Sequence, residues 1–258
     1  MARTQARDSC DPMKILIVNP NTTAAMTDKI RAAACLAAAA GTEIIAVNPA
    51  DGPVSIEGYY DEAFSVPGLL REIAKGEAQA VAAHIIACFD DTGLEAARSL
   101  ARAPVIGIGE AAFHLASLVS HRFSVVTTLS RSIAAIETNL MKYGLSQRCA
   151  RVRAAEVPVL SLDDPASQAS MKISEEIERA KSDDRAEAIV RGCAGMADLA
   201  ARLSKQHGMP VIDGVVSAVK LAEAMGVLGL QTSKIGAYAR PAAKPYLGHL
   251  SGDAPGRH

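Results

Sequence analysis

The chain has 258 residues, a formal net charge of −1, 49% hydrophobic and 3% aromatic residues, enough apolar material for one large core or two smaller ones. A charge so near zero lacks the electrostatic footprint of a protein that grips nucleic acid or an anionic membrane. The longest apolar stretches, such as Ala32 to Ala40 and Val81 to Phe89, fall short of the roughly 20 residues that cross a bilayer.

Residues 1–12 are polar and arginine-bearing, with no apolar run behind them. They read as a disordered extension ahead of Met13 rather than a signal peptide. Apolar runs bounded by Gly, Pro, Asn and Asp then mark strands at Ile15 to Asn19, Glu43 to Val47, Ala80 to Cys88, Val105 to Ile108, Phe123 to Thr127, Ala154 to Val157, Ala188 to Cys193 and Val211 to Ile212. Helix-period segments alternate with them at Thr23 to Ala39, Gly68 to Glu77, Gly93 to Leu100, Glu110 to Leu118, Ile133 to Tyr143, Ser167 to Lys181, Met196 to His207 and Val215 to Met225. Strand and helix in alternation predict an α/β fold with parallel sheets.

The pattern echoes itself. In the first half a strand runs into the Asn/Thr turn Asn19-Pro20-Asn21-Thr22 and a later strand ends in Cys88; in the second half a strand ends in Thr127-Thr128 and a later one in Cys193. Two pseudo-symmetric lobes are expected, 13–110 and 111–214, the first completed by a returning C-terminal helix over 215–245. The carboxyl ends of their strands would face one cleft, where α/β proteins bind ligands.

The five cysteines, Cys10, Cys35, Cys88, Cys149 and Cys193, show neither zinc nor disulfide spacing, which suggests a reduced, cytoplasmic setting. A lone buried cysteine is most often a small apolar residue. Two at matching strand ends point instead to paired chemistry. Cys88, before a turn and a helix, is expected to lie near backbone N–H groups that favour its thiolate. Gly192, Ala194 and Gly195 around Cys193 leave room for an N–H nest that could hold a developing oxyanion. A base and an acid on opposite faces of a carbon next to a carbonyl invert its configuration by proton exchange, with no cofactor required. Asn19, Asn21, Thr22, Thr127 and Thr128 are read both as turn and cap residues and as substrate contacts. Phe89 and Asp90 join them as neighbours of Cys88. Gly107-Ile108-Gly109-Glu110-Ala111-Ala112 fits a relaxed dinucleotide fingerprint, but Thr127 to Leu129, roughly 20 residues on, lack the acid that would bind a ribose. The histidines have no metal-site spacing.

At these residues the sequence resembles the aspartate/glutamate racemase superfamily, and within it the hydantoin racemase branch, which includes allantoin racemases. The resemblance runs from about Lys14 to Leu230 and rests on Asn19-Pro20-Asn21-Thr22-Thr23, Asn48-Pro49-Ala50-Asp51, Ile56-Glu57-Gly58, Ala87-Cys88-Phe89-Asp90-Asp91, the Gly107 to Ala112 run, Phe123 to Thr128 and Gly192-Cys193-Ala194-Gly195-Met196. It implies two α/β lobes, a homo-oligomer, and a two-base mechanism free of metal and pyridoxal in which Cys88 and Cys193 alternate as thiolate base and thiol acid. Members that act on free aspartate or glutamate carry Asn-Thr after the first cysteine and Thr plus an acid after the second. Phe89-Asp90 and Ala194-Gly195 stand there instead, implying a neutral cyclic ureide, a 5-substituted hydantoin or allantoin. Arylmalonate decarboxylases of this fold keep one of the two cysteines. Maleate-type cis-trans isomerases keep both and use one as a nucleophile, so that reaction and plain small-molecule binding are the alternatives.

Overall fold

The computed structural model describes residues 12–159, 168–192, 194 and 197–256. Of the expected features, Cys193, Gly195 and the extension up to residue 11 lie outside the described residues. Two four-stranded, wholly parallel sheets form the scaffold. The first contains β1 (Met13–Val18), β2 (Thr42–Val47), β3 (Ala83–Ile86) and β4 (Val105–Gly107) in the order β2-β1-β3-β4. The second contains β5 (Phe123–Thr127), β6 (Cys149–Ala154), β7 (Ala188–Gly192) and β8 (Val211–Ile212) in the order β6-β5-β7-β8. The orders are identical, so each strand of one lobe has a counterpart in the other. This is the two-lobed α/β architecture that the echo in the sequence implies.

Helices cover the sheets: α1 (Ala24–Ala37), α2 (Tyr59–Ala78), α3 (Leu94–Leu100) and α4 (Ile108–Val119), then α5 (Ile133–Lys142), α6 (Ala169–Ser182), α7 (Ala197–His207) and α8 (Gly214–Val227). Parallel strands need both faces covered, and the central strands β1, β3, β5 and β7 are correspondingly apolar runs that are almost entirely buried. α4 leaves β4 and packs on α8 and on β7, while α8 returns to α1, β1 and β3. One apolar cluster therefore runs through both lobes, from Ile15 and Ile85 to Phe123 and Val190. Phe113 on α4 sits at its centre, edge-on to Phe89 at 5.3 Å and stacked on Phe123 at 6.2 Å. Among the described residues no helix is long and apolar enough to cross a membrane.

Four elements differ from the sequence reading, each for a local reason. The strand expected over Ala80 to Cys88 is confined to Ala83–Ile86, because Ala80 takes a left-handed φ of 52° in the turn after α2 and Cys88 already belongs to the turn beyond the strand. α2 begins at Tyr59, well before the expected Gly68. Its first turns expose Tyr59, Tyr60 and Phe64 and contain Pro67, so they show no apolar stripe. The strand expected at 154–157 lies at Cys149–Ala154, an edge strand whose Arg151 and Arg153 interrupt the apolar run. The C-terminal helix, expected over 215–245, ends at Val227. Beyond it the chain is held to the first lobe by a series of polar contacts, among them Thr232 N–H to the Arg102 carbonyl, Lys234 Nζ to the Arg98 and Ser99 carbonyls, and the Arg71 guanidinium to Asp253.

Because Phe113 is fully buried between the lobes, Phe113→Ala should cost about 3–5 kcal/mol of stability. Urea unfolding checks this, and a loss below about 1 kcal/mol would mean that the lobes do not share a core.

Candidate active site

Asn19, Pro20 and Asn21 after β1, Ala87 to Asp90 after β3, Thr127 and Thr128 at the end of β5, and Gly192 and Ala194 at the end of β7 line one cavity. Met26, Ile56, Ser132 and Val159 complete it. The carboxyl ends of both sheets thus meet at one place, as ligand sites of α/β folds do. A wider hollow between α6 and α7, lined by residues such as Ser174, Glu178 and Gln206, is shallow, open to solvent and away from these strand ends.

The first turn is braced by its own amides. Asn19 Nδ2 donates to Asn21 Oδ1 at 2.9 Å and to Thr27 Oγ1 at 3.1 Å, and Asn21 Oδ1 also accepts the Thr23 N–H. Thr22 does not line the cavity; its hydroxyl donates to the Pro53 carbonyl. Thr23 stands at the N-cap of α1, but its side chain does not cap the helix and donates to Val54 O at 2.6 Å. In the second lobe Thr127 presses on Gly192, where an added Cβ would lie 2.8 Å from the Thr127 Cβ. Only glycine fits there.

Asp90 and Asp91 divide their work. Asp91, with φ 51°, accepts the N–H groups of Gly109 at 2.9 Å and Glu110 at 2.8 Å, and the Tyr143 hydroxyl at 2.8 Å. It caps α4, not the α3 that follows it in sequence, and so ties the Cys88 turn to both lobes. The glycines of the Gly107 to Ala112 run now have a reason: a Cβ at Gly107 would meet Asp91 Oδ1 at 2.1 Å and one at Gly109 would meet the Phe89 carbonyl at 2.4 Å. The strand-to-helix turn receives a carboxylate of its own chain. Burial pushes Asp91 up to about 7, against the pull of these donors.

Asp90 faces the cavity, accepts the Ser132 hydroxyl at 3.3 Å, and has its carbonyl held by Asn139. Burial raises it to about 6. Glu62 on α2, with a buried Oε1 that has no hydrogen-bond partner, is raised to about 7 by burial and by Asp90. The Cys88 thiol accepts from Thr92 Oγ1 at 3.4 Å, and burial, then Asp90, push its pKa well above the usual range. The expectation of a thiolate favoured by a helix N-terminus is therefore reversed: the Asp90 N–H does favour the thiolate, but α3 starts only at Leu94, and burial and the neighbouring carboxylates outweigh that donor. Glu62, Ser132, Met26 and Val159 were not singled out from sequence, because none sits in a strand-end motif, and Ile56 was quoted only as part of a motif and not as a cavity residue. Asp213 caps α8, its Oδ1 accepting the Val216 N–H at 3.0 Å.

Residues 15–222 match the family model described as Asp/Glu/Hydantoin racemase. A hydantoin racemase of Rhizobium meliloti is 52% identical over 237 residues, 92% of this chain and 98% of that protein. The solved structure of an allantoin racemase from Klebsiella pneumoniae superposes with a TM-score of 0.91 at 48% identity, covering 94% of this chain and 99% of that one. Glutamate racemase from Francisella tularensis, at 15% identity and a TM-score of 0.62 over 85% of this chain and 82% of its own, shares the fold.

A thiol held protonated should alkylate slowly. Peptide mass spectrometry after iodoacetamide at pH 8 should find Cys88 at least ~10-fold slower than the exposed Cys35. Asp90→Asn removes a negative charge, lowers the thiol's pKa and should narrow the gap; equal rates in the parent protein would contradict this electrostatic picture.

Proposed function

The chain belongs to the Asp/Glu/Hydantoin racemase family, and on that premise we propose that it racemises 5-substituted hydantoins with Cys88 and Cys193 as the two proton carriers. The observation that carries the reading is the repeated strand order: β3 and β7 hold matching places in the two sheets. Cys88 lies just beyond the end of β3, and Cys193 directly follows Gly192, the last residue of β7. In the proposed lobes, 13–110 and 111–214, the thiols serve opposite faces of one ring carbon.

The chemistry needs one thiolate and one thiol. The thiolate takes the hydrogen from C5, the electron pair spreads into the adjacent ring carbonyl, and the other thiol delivers its proton to the opposite face. The base ends as thiol and the acid as thiolate, so the pair is set for the mirror-image substrate. Asn19, Asn21, Thr127 and Thr128, with Ser132 and Asp90, supply polar atoms for the ring amides and carbonyls. Phe89, Gly192 and Ala194 shape the cavity walls, and Gly195, which the sequence sets beside Cys193, is proposed as a further substrate contact. The carbonyl acquires charge as the proton leaves, and donors fixed before the reaction stabilise it without reorganising. Allantoin, which carries the same ring, is the second reading, favoured by the 0.91 TM-score to an allantoin racemase.

Cys88→Ala and Cys193→Ala should each slow turnover of an enantiopure hydantoin by about 10²–10⁴-fold, read by polarimetry. Cys→Ser at either position should leave slow C5 deuterium exchange of one hand only. A single Ala variant that racemises both hands near the parent rate would remove the two-base assignment.

A further inference from the structure

Besides its polar groups the cavity receives apolar side chains from both lobes. Met26 comes from α1 in the first lobe; Ile56 and Val159 form a matched pair. Ile56 lies in the loop after β2 and Val159 in the loop after β6, and these strands occupy the same end of sheets with the same order. Each loop is fastened to the polar turn of its own lobe just before the apolar residue. Pro53 O accepts the Thr22 N–H at 3.0 Å and Val54 O accepts the Thr23 hydroxyl; the Ala155 and Val157 N–H groups donate to Thr127 O at 2.9 Å and Thr128 O at 3.0 Å. Gly52 and Gly58, both at positive φ, bound the Ile56 loop.

A racemase handles two mirror-image ligands at one ring position. When the C5 hydrogen points to the thiol of one lobe, tetrahedral geometry tilts the substituent toward the other lobe. The hand deprotonated by Cys88 therefore leans its substituent on the second lobe, and the hand deprotonated by Cys193 leans it on the first. We propose that Ile56 and Val159 are mirrored apolar subsites for the C5 substituent, Ile56 holding the enantiomer whose base is Cys193 and Val159 the enantiomer whose base is Cys88. This rests on the racemase reading of the same cavity, and it narrows the substrate class to hydantoins with an apolar C5 substituent in preference to the polar ureido group of allantoin.

Because the equilibrium constant of racemisation is one, kcat/KM is equal for the two hands in every variant, and asymmetry can appear only as KM and kcat moving together. With the isobutyl-substituted hydantoin as substrate, Ile56→Ala should raise both constants for the Cys193-base hand relative to the other, by about 3- to 10-fold; Val159→Ala should do so for the Cys88-base hand. The two Cys→Ser variants identify the hands independently by deuterium exchange. Val159→Ile, which adds one methylene and leaves the backbone alone, should lower KM for the Cys88-base hand, so the proposal stays testable if the Ala variants fold poorly. Ile56→Asn should shift the kcat/KM preference toward allantoin. Equal KM changes for both hands, or both variants moving the same hand, overturn the mirrored pair while the racemase reading survives. Absence of racemisation of either compound by the unmodified protein overturns both.

Discussion

The carboxylate of Asp91 is the constraint on which the arrangement depends. It leaves the turn after β3, receives two N–H groups at the start of α4 and the hydroxyl of Tyr143 at the end of α5, and so fixes the Cys88 turn against elements of both lobes. A carboxylate at a helix N-terminus satisfies donors that have no partner within the helix and meets the positive end of its dipole. The contact also dictates sequence elsewhere. Gly107 and Gly109 are small because Asp91 and the Phe89 carbonyl occupy the space that side chains would need. With α4 anchored there, Phe113 can join the aromatic contacts that unite the two halves of the core.

On that frame the two lobes repeat their topology. Cys88 lies among Asp90, Glu62 and the Thr92 hydroxyl, with carboxylates as its charged neighbours. Burial among carboxylates makes such a thiol a weak acid and makes its thiolate, once formed, a strong base. A two-base racemase requires one protonated and one ionised thiol at the start of each turnover, and the carboxylates beside Cys88 favour its protonated form. The cavity walls follow the topology, with loops after β2 and β6 clipped to the polar turns in parallel fashion.

What could be read from sequence was local. The runs through Ile15 to Val18, Ile85 to Ile86 and Ile189 to Val190 declare buried parallel strands, and Asn19, Thr127 and Cys88 sit at or just past strand ends, so those cavity residues follow from chain position alone. The rest depends on contacts between distant segments. Nothing near Asp91 in sequence reveals that its partner is α4 and not α3. Glu62 lies in helical turns without an apolar stripe, and Ile56 in a loop without regular structure, so their proximity to Cys88 arises only when α2 and the β2 loop fold over the cleft. Arg151 and Arg153 hid β6 because an edge strand can carry charges on a half-exposed face.

The most direct test of the two-thiol account is the isotope content of both hands in the first few per cent of reaction. An enantiopure hydantoin would be incubated in heavy water and the hands separated before mass analysis. Separate acid and base groups predict deuterium in essentially all of the inverted product and none in the recovered substrate, because the proton removed stays on one thiol while the other delivers a deuteron equilibrated with solvent. Protium retained at C5 of the product, or deuterium entering the recovered substrate as fast as inversion proceeds, would show one group working on both faces and would contradict the account.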